Sequence, residues 1–332
     1  MVKKSLCALL LLGLIVAPLA GVYPVFVMKV LCFALFASAF NLLIGYTGLL
    51  SFGHAAFLAS AGYATGYAIK TWGVTPELGV IAGTAAAVAL GVVAGFFAIR
   101  RQGIYFAMIT LALAQLVYFI FLQASFTGGE DGLQGVPRGH LFGVFDLGSD
   151  MTLYYVVLAV VALAFALIVR IVHSPFGQVL TAIRENEPRA VSLGYQADTF
   201  KWVAFVLSAG LAGLAGALKT LVLGFETLGD AYWTMSGLVV LMTLVGGMGT
   251  LFGPIVGALV IVTLEDRLGD IGTALASMTH IEAFESLGES VTTVTGLIFI
   301  VCVLAFRRGI VGEIAARLSF LTAPSSGSDR RG

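Results

Sequence analysis

Charge is what this sequence has least of. Only 11% of its 332 residues are charged, against 59% hydrophobic residues and a mean hydropathy of +1.01. A soluble domain carries about 25% charged residues, and a chain of this size with so few cannot cover a water-facing surface. Soluble enzymes, nucleic-acid binders and disordered scaffolds are thereby excluded. Eighteen basic residues meet eighteen acidic ones, so no basic surplus exists to attract nucleic acid. Cysteine is scarce as well. Cys7, Cys32 and Cys302 sit in apolar runs without ligand spacing, which indicates neither a disulfide framework nor a metal site.

Chemistry-bearing motifs are also lacking. His54, His140, His173 and His280 are scattered and form no HExxH or Ser/His/Asp pattern, so no catalytic or metal-ligating residue is expected. Gly213 to Thr220 looks like a phosphate loop until Leu218, where that motif needs glycine. If ATP is used, another subunit binds it. Mid-segment polar groups are mostly uncharged. Lys29 and Lys219 fall toward segment ends and are expected to snorkel. That sparseness argues against a proton- or ion-coupled carrier, which keeps charge at mid-membrane.

What is present is apolar sequence and glycine. The class is an all-α polytopic membrane protein. Its 41 glycines suit close helix packing in lipid. Apolar segments near 6–22, 25–45, 51–70, 78–99, 103–123, 151–172, 200–223, 233–248, 252–264 and 289–306 are long enough to count, giving about ten spans. With both termini cytoplasmic, thirteen of the eighteen basic residues fall inside. Merging the eighth and ninth segments would move Arg307 and Arg308 outside, so they are kept apart. The first segment also fits a signal peptide; the closeness of the next span favours retention. Residues 1–322 then form the transmembrane domain, with an inner loop at 173–201 and outer loops at 124–150 and 265–288. The Ser/Gly/Arg-rich tail, 323–332, is expected to be disordered.

Four stretches carry more than hydropathy, and each has two readings. In HSPFGQVLTAIRENEPRAVSLGYQADTFK (173–201), Phe176, Val179, Leu180 and Ile183 recur at helical spacing, and Pro188 can open a second short helix. Such helices cannot bury an apolar face in a core of their own. Their fates are the membrane surface or a groove on a cytoplasmic partner. In NLLIGYTGLLSFGHAAF (41–57), glycines break two apolar runs. Asn41, Ser51 and His54, with Thr110, Gln115 and Thr243 elsewhere, either line a translocation path or stabilise a tight turn. In GGMGTLFGPIVGA (246–258), Gly249, Gly253 and Gly257 are spaced for one helical face, for close packing or for a broken helix beside a path. TGGEDGLQGVP (127–137) is either an ordered turn-rich loop or a docking site for an external protein.

Five stretches in chain order, 41–57, RRQGIYFAMITLALAQ (100–115), 127–137, AIRENEPRAVSLG (182–194) and 246–258, together resemble one family over roughly residues 30–312. It is the permease subunits of high-affinity branched-chain amino-acid ABC importers, the Liv type, and among them the LivM-like subunit. The resemblance implies an ABC importer permease fold and a non-catalytic, pore-forming role in the bacterial inner membrane. It implies a second, LivH-like permease subunit, two cytoplasmic ATPase subunits that bind ATP, and a periplasmic substrate-binding protein. It places a coupling helix at Arg184, Glu185, Asn186, Glu187, Ala190, Leu193 and Gly194. Here Pro188 and Arg189 follow Glu187, where importers often have a Glu-Ala-Ala…Gly pattern, and Gly194 falls one position late. The expected cargo is leucine, isoleucine or valine. The alternatives are urea, amides or other amino acids on the same fold, or a stand-alone secondary transporter or channel.

Overall fold

The computed structural model describes residues 13–15, 18, 21, 23–143, 145–279, 296–297, 300 and 309–313, with backbone alone over 268–279. Apart from a few positions, the expected first and last spans lie outside these residues, as do 280–288 and the tail. Eight expected segments have helical counterparts. They are α1 (Pro24–Thr47), α2 (His54–Trp72), α3 (Pro76–Ala98), α4 (Ile104–Gln123), α5 (Asp150–Val172), α8 (Ala197–Leu223), α10 (Trp233–Gly246) and α11 (Gly253–Thr279). Between them lie α6 (Pro175–Glu185), α7 (Glu187–Ser192) and α9 (Leu228–Ala231). Among the described residues five helices, α1, α3, α4, α5 and α8, are long and apolar enough to cross a membrane. The protein is a multi-pass membrane protein.

Local sequence explains the boundaries. Pro24 and Pro76 stand in the first turns of α1 and α3, where a missing N–H costs nothing. Gly48 and Gly224 end α1 and α8 with φ of 76° and 75°, a conformation that suits residues without a Cβ.

Alternating helices give the bundle two ends. One gathers the C-terminus of α1, the α6–α7 loop and the turn between α10 and α11, joined by Arg184 on Gly45. The other gathers the N-terminus of α1, tied to α11 by Lys29–Asp266 at 2.5 Å, and residues 124–150. The central helices α1 and α8 are buried around most of their circumference, whereas α3, α4 and α5 leave most of theirs exposed. A helix that is apolar all round suits either setting; where α8 meets its neighbours, small residues allow the close approach. On α8, a Cβ on Gly213 would collide with Ala87, and one on Gly216 with the Leu58 carbonyl. Without an apolar solvent effect to drive pairing, such close backbone approach is what holds helices together in lipid.

Two expectations are corrected here. The helix that starts at Gly253 does not stop near residue 264 but runs to Thr279, so the first part of the supposed 265–288 loop is helical. Charges at Glu265, Asp266 and Arg267 end the apolar run without ending the helix, because none of them breaks helical hydrogen bonding. The all-α expectation also gains a small antiparallel hairpin, β1 (His140–Leu141) with β2 (Phe145–Asp146), in register His140↔Asp146 and Leu141↔Phe145.

Candidate coupling and translocation site

The loop between α5 and α8 folds into two short helices. Ser174 caps α6 by accepting from the Gly177 N–H at 3.3 Å, and Asn186 caps α7 by accepting from the Arg189 N–H at 3.1 Å. Proline occupies the first turn of both. Part of their apolar face takes neither expected fate but packs within the chain: Ile183 and Ala190 meet Ala197 of α8 in a small core covered by Val179 and Phe200. Phe176 stacks on Phe200 with centroids 5.6 Å apart. The first turn of α8 supplies what two short helices lack.

That packing divides the expected coupling residues. Ala190 is buried in the small core. Glu187 turns toward α8, where its Oε1 meets the buried Lys201 ammonium at 2.6 Å. Arg184 donates from Nη1 to the Gly45 carbonyl at the end of α1. Asn186 is occupied as a cap. Gly194, with φ of 93°, makes the turn that ends α7. Glu185 and Leu193 stay exposed. So do Val191 and Tyr195, apolar residues not among the expected coupling positions; Leu193 is the most exposed of the three at 71%.

Beneath Arg184 lies the break between α10 and α11. Asn41 holds it from both sides: its Nδ2 donates to the Thr250 carbonyl and its Oδ1 accepts from the Gly249 N–H, each at 2.8 Å. Gly249, with φ of 76°, sits in this turn and not in α11. Of the three expected packing glycines, Gly253 and Gly257 belong to α11, and Gly249 serves the turn. A Cβ on Gly257 would collide with the Met242 carbonyl, so α10 and α11 touch backbone to backbone.

Of the six expected path residues, Asn41, Ser51, His54, Thr110 and Thr243 are buried and bonded within the chain, and Gln115 is half-buried. The Ser208 hydroxyl donates to the Ala39 carbonyl at 2.6 Å, so His54 donates from Nε2 to Ser208 at 2.8 Å. Thr110 accepts from the Phe52 N–H at 3.2 Å, Ser51 from the Gly53 N–H at 3.1 Å, and Thr243 donates to the Val239 carbonyl at 2.9 Å. Next to Thr110, between α2, α3, α4 and α8, an apolar cavity of about 150 Å³ is lined by Phe57, Leu90, Val117 and Phe205.

At the opposite end lies a group that the sequence reading missed. Lys219 does not snorkel. Only 4% of its side chain is exposed, and its ammonium meets Asp230 at 2.6 Å and Glu226 at 3.3 Å. Thr220 donates to Glu226 at 2.6 Å, and Asp230 completes a capping box with Thr227. The signal was available: three charges within twelve residues of an otherwise apolar run, too many to leave unpaired in lipid. Two carboxylates face one ammonium here. Burial pushes the Glu226 carboxyl, which lies beyond the end of α8, up to about 8. At neutral pH this spares the cluster an unbalanced negative charge. Among the described residues no His, Cys, Asp and Glu group is arranged to hold a metal.

A family model described as "Branched-chain amino acid transport system / permease component" matches residues 24–305. The chain belongs to that family. Among curated proteins it is 30% identical over 258 residues to the high-affinity branched-chain amino acid transport system permease protein LivM of Escherichia coli, covering 69% of this chain and 60% of the relative. It is 28% identical over 202 residues to the ribose import permease protein RbsC of Bacillus subtilis (59% and 58%), and 27% identical over 191 residues to the autoinducer 2 import system permease protein LsrC of Salmonella choleraesuis (54% and 52%). The chain therefore spans about 60% of the length of the LivM relatives it matches. No solved structure matches it. In this family member the matched region takes in every element described above, from α1 to α11.

Proposed function

We propose that this chain is the non-catalytic, pore-forming subunit of an ATP-driven importer for branched-chain amino acids in the bacterial inner membrane. It works with a second, LivH-like permease subunit, two cytoplasmic ATPase subunits and a periplasmic binding protein. The observation that carries this reading is the family match over residues 24–305. The α6–α7 loop supports it. Within residues 191–195 the loop leaves Val191, Leu193 and Tyr195 exposed, apolar surface that a partner's groove would cover. We assign this patch, with Glu185 and Arg189 at its edge, to the groove of an ATPase subunit. Arg184, Glu187 and Ala190 then face inward and carry the loop's movement into the bundle.

This assignment orients the chain, with the α6–α7 end in the cytoplasm and residues 124–150 outside. The polar groups at Asn41, Ser51, His54, Thr110 and Thr243 brace the wall of the path, since each already has a partner within the chain. A wall that offers few free polar groups binds cargo weakly, as a conduit must. Relatives named for ribose and autoinducer 2 favour a second reading, the same machine with another cargo.

Co-purification tests the proposal. The tagged chain is solubilised gently from its native host and stoichiometric partners are identified by mass spectrometry. Recovery of two ATPases and a second permease is expected. Recovery of the chain alone, active in liposomes without ATP, overturns it in favour of a secondary carrier. Titrating the co-encoded binding protein with leucine, isoleucine, valine, urea and ribose then decides the cargo.

A further inference from the structure

Helix α8 is held at both ends by buried lysines. At one end Lys201, 3% exposed, meets Glu187 of α7 at 2.6 Å. At the other, Lys219 meets Asp230 and Glu226 of the segment that follows. Eighteen residues of helix separate the two lysines, a span of about 27 Å. Between them α8 is locked to its neighbours by small residues. Cβ atoms on Gly213 and Gly216 would strike α3 and α2, and a Cβ on Gly91 of α3 would come within 2.5 Å of Ala209. Over residues 209–216 α8 meets α2 and α3 through backbone and Cβ atoms, with no long side chain at these contacts to absorb a displacement.

The far end is wired onward. Glu226 pairs with Leu133 through two backbone hydrogen bonds of 2.9 Å, one in each direction. The Val136 N–H donates to the Gly224 carbonyl at 2.8 Å, and Arg138 donates to the Val222 carbonyl at 3.0 Å. Loop 127–137 is thus bonded at Leu133 and Val136 to the segment that follows α8, and Arg138, just beyond the loop, reaches the last turn of α8 itself.

We propose that α8 is the transmission rod of this subunit, with Glu187–Lys201 as its drive contact and the Lys219–Glu226–Asp230 cluster as its attachment to loop 127–137. Lys201 is a positioning residue: it touches neither cargo nor nucleotide, and passes the displacement of α7 to α8. The inference rests on the reading that a cytoplasmic ATPase moves the α6–α7 loop. The contact suits this role because its ammonium is buried, at 4% exposure against 23% for the Glu187 side chain, so the lysine has little water to turn to when the carboxylate moves.

The test uses the complete complex in proteoliposomes with binding protein and leucine. In Lys201→Gln, the complex is expected to assemble and hydrolyse ATP while leucine delivered per ATP falls at least tenfold. The exchange Glu187→Lys/Lys201→Glu is expected to recover most of that efficiency. Hydrogen exchange in loop 127–137 of the wild-type complex is expected to change when nucleotide binds, and this response should be lost in Lys201→Gln. A purely structural role would lower ATP hydrolysis and uptake together and leave the remote exchange response intact in whatever complex assembled. Full efficiency in Lys201→Gln overturns the inference. So does proportional loss of uptake and hydrolysis, or a double exchange no better than the single change. If Lys201→Gln does not assemble, the wild-type measurement still decides, because a loop 127–137 indifferent to nucleotide overturns the rod. A wild-type complex with no ATP-driven uptake defeats the underlying functional reading instead.

Discussion

Replacing Lys219 by Met is the sharpest test of the buried charge cluster. The change keeps the length of the side chain and removes its charge, leaving Glu226 and Asp230 facing each other, 0% and 6% exposed. Removing one partner from a buried ion pair costs about 3–5 kcal/mol, since the desolvated charge left behind has no counter-ion. A lysine that snorkelled to the surface would cost only about 0.5 kcal/mol or less. The two accounts differ by several kcal/mol, which equilibrium unfolding in mixed SDS micelles, followed by circular dichroism, resolves easily. The triple variant Lys219→Met/Glu226→Gln/Asp230→Asn removes all three ionisable groups but keeps the acceptors used by Thr220 and Thr227. It is expected to return to within about 1–2 kcal/mol of the wild type. A single variant as stable as the wild type, or a triple variant as unstable as the single one, would refute the reasoning.

Other outcomes follow from the same geometry. Because burial raises the Glu226 carboxyl from 4.5 to about 8, the fold favours its protonated form. Its contribution is fully present below 4.5 and is lost as pH rises through about 8, so unfolding free energy should decline over that window and flatten in Glu226→Gln. Asn41→Leu strips partners from the Gly249 N–H and the Thr250 carbonyl and should cost about 2–4 kcal/mol in the same unfolding measurement. Gly216→Ala drives a Cβ into the Leu58 carbonyl and should cost about 1–3 kcal/mol, whereas Gly237→Ala, with open space around it, should be near neutral. Leu193→Asp should abolish capture of the ATPase subunits while leaving the unfolding curve unchanged, because that side chain is 71% exposed.

Hydropathy made the spans legible because lipid leaves an uncovered backbone only one local solution, the helix. The second short helix of the inner loop was legible from Pro188, which stands in the first turn of α7. What hydropathy could not show was which apolar helices lie inside. The sequences of α1 and α3 are equally apolar, yet packing buries one and exposes the other. The α6–α7 loop showed its helical period but not its sides, since the partner for Ile183 and Ala190 is the first turn of α8. The path candidates were chosen as polar residues in apolar surroundings. That criterion finds buried hydrogen-bonding groups, and Asn41 and His54 use theirs on backbone and on Ser208. Lys219 was misplaced because a charge near a helix end can reach water in principle; only the fold of 224–231 over it closes that route.

The central claim is that this chain forms a path whose energy comes from elsewhere, and substrate uptake in a defined membrane tests it most directly. The chain is reconstituted with its second permease and ATPase subunits, and radiolabelled leucine is supplied on the binding protein. Accumulation that requires enclosed ATP and binding protein, and that disappears when either is withheld, is the predicted result. Accumulation by the chain alone, driven by a proton or sodium gradient and indifferent to ATP, would contradict it.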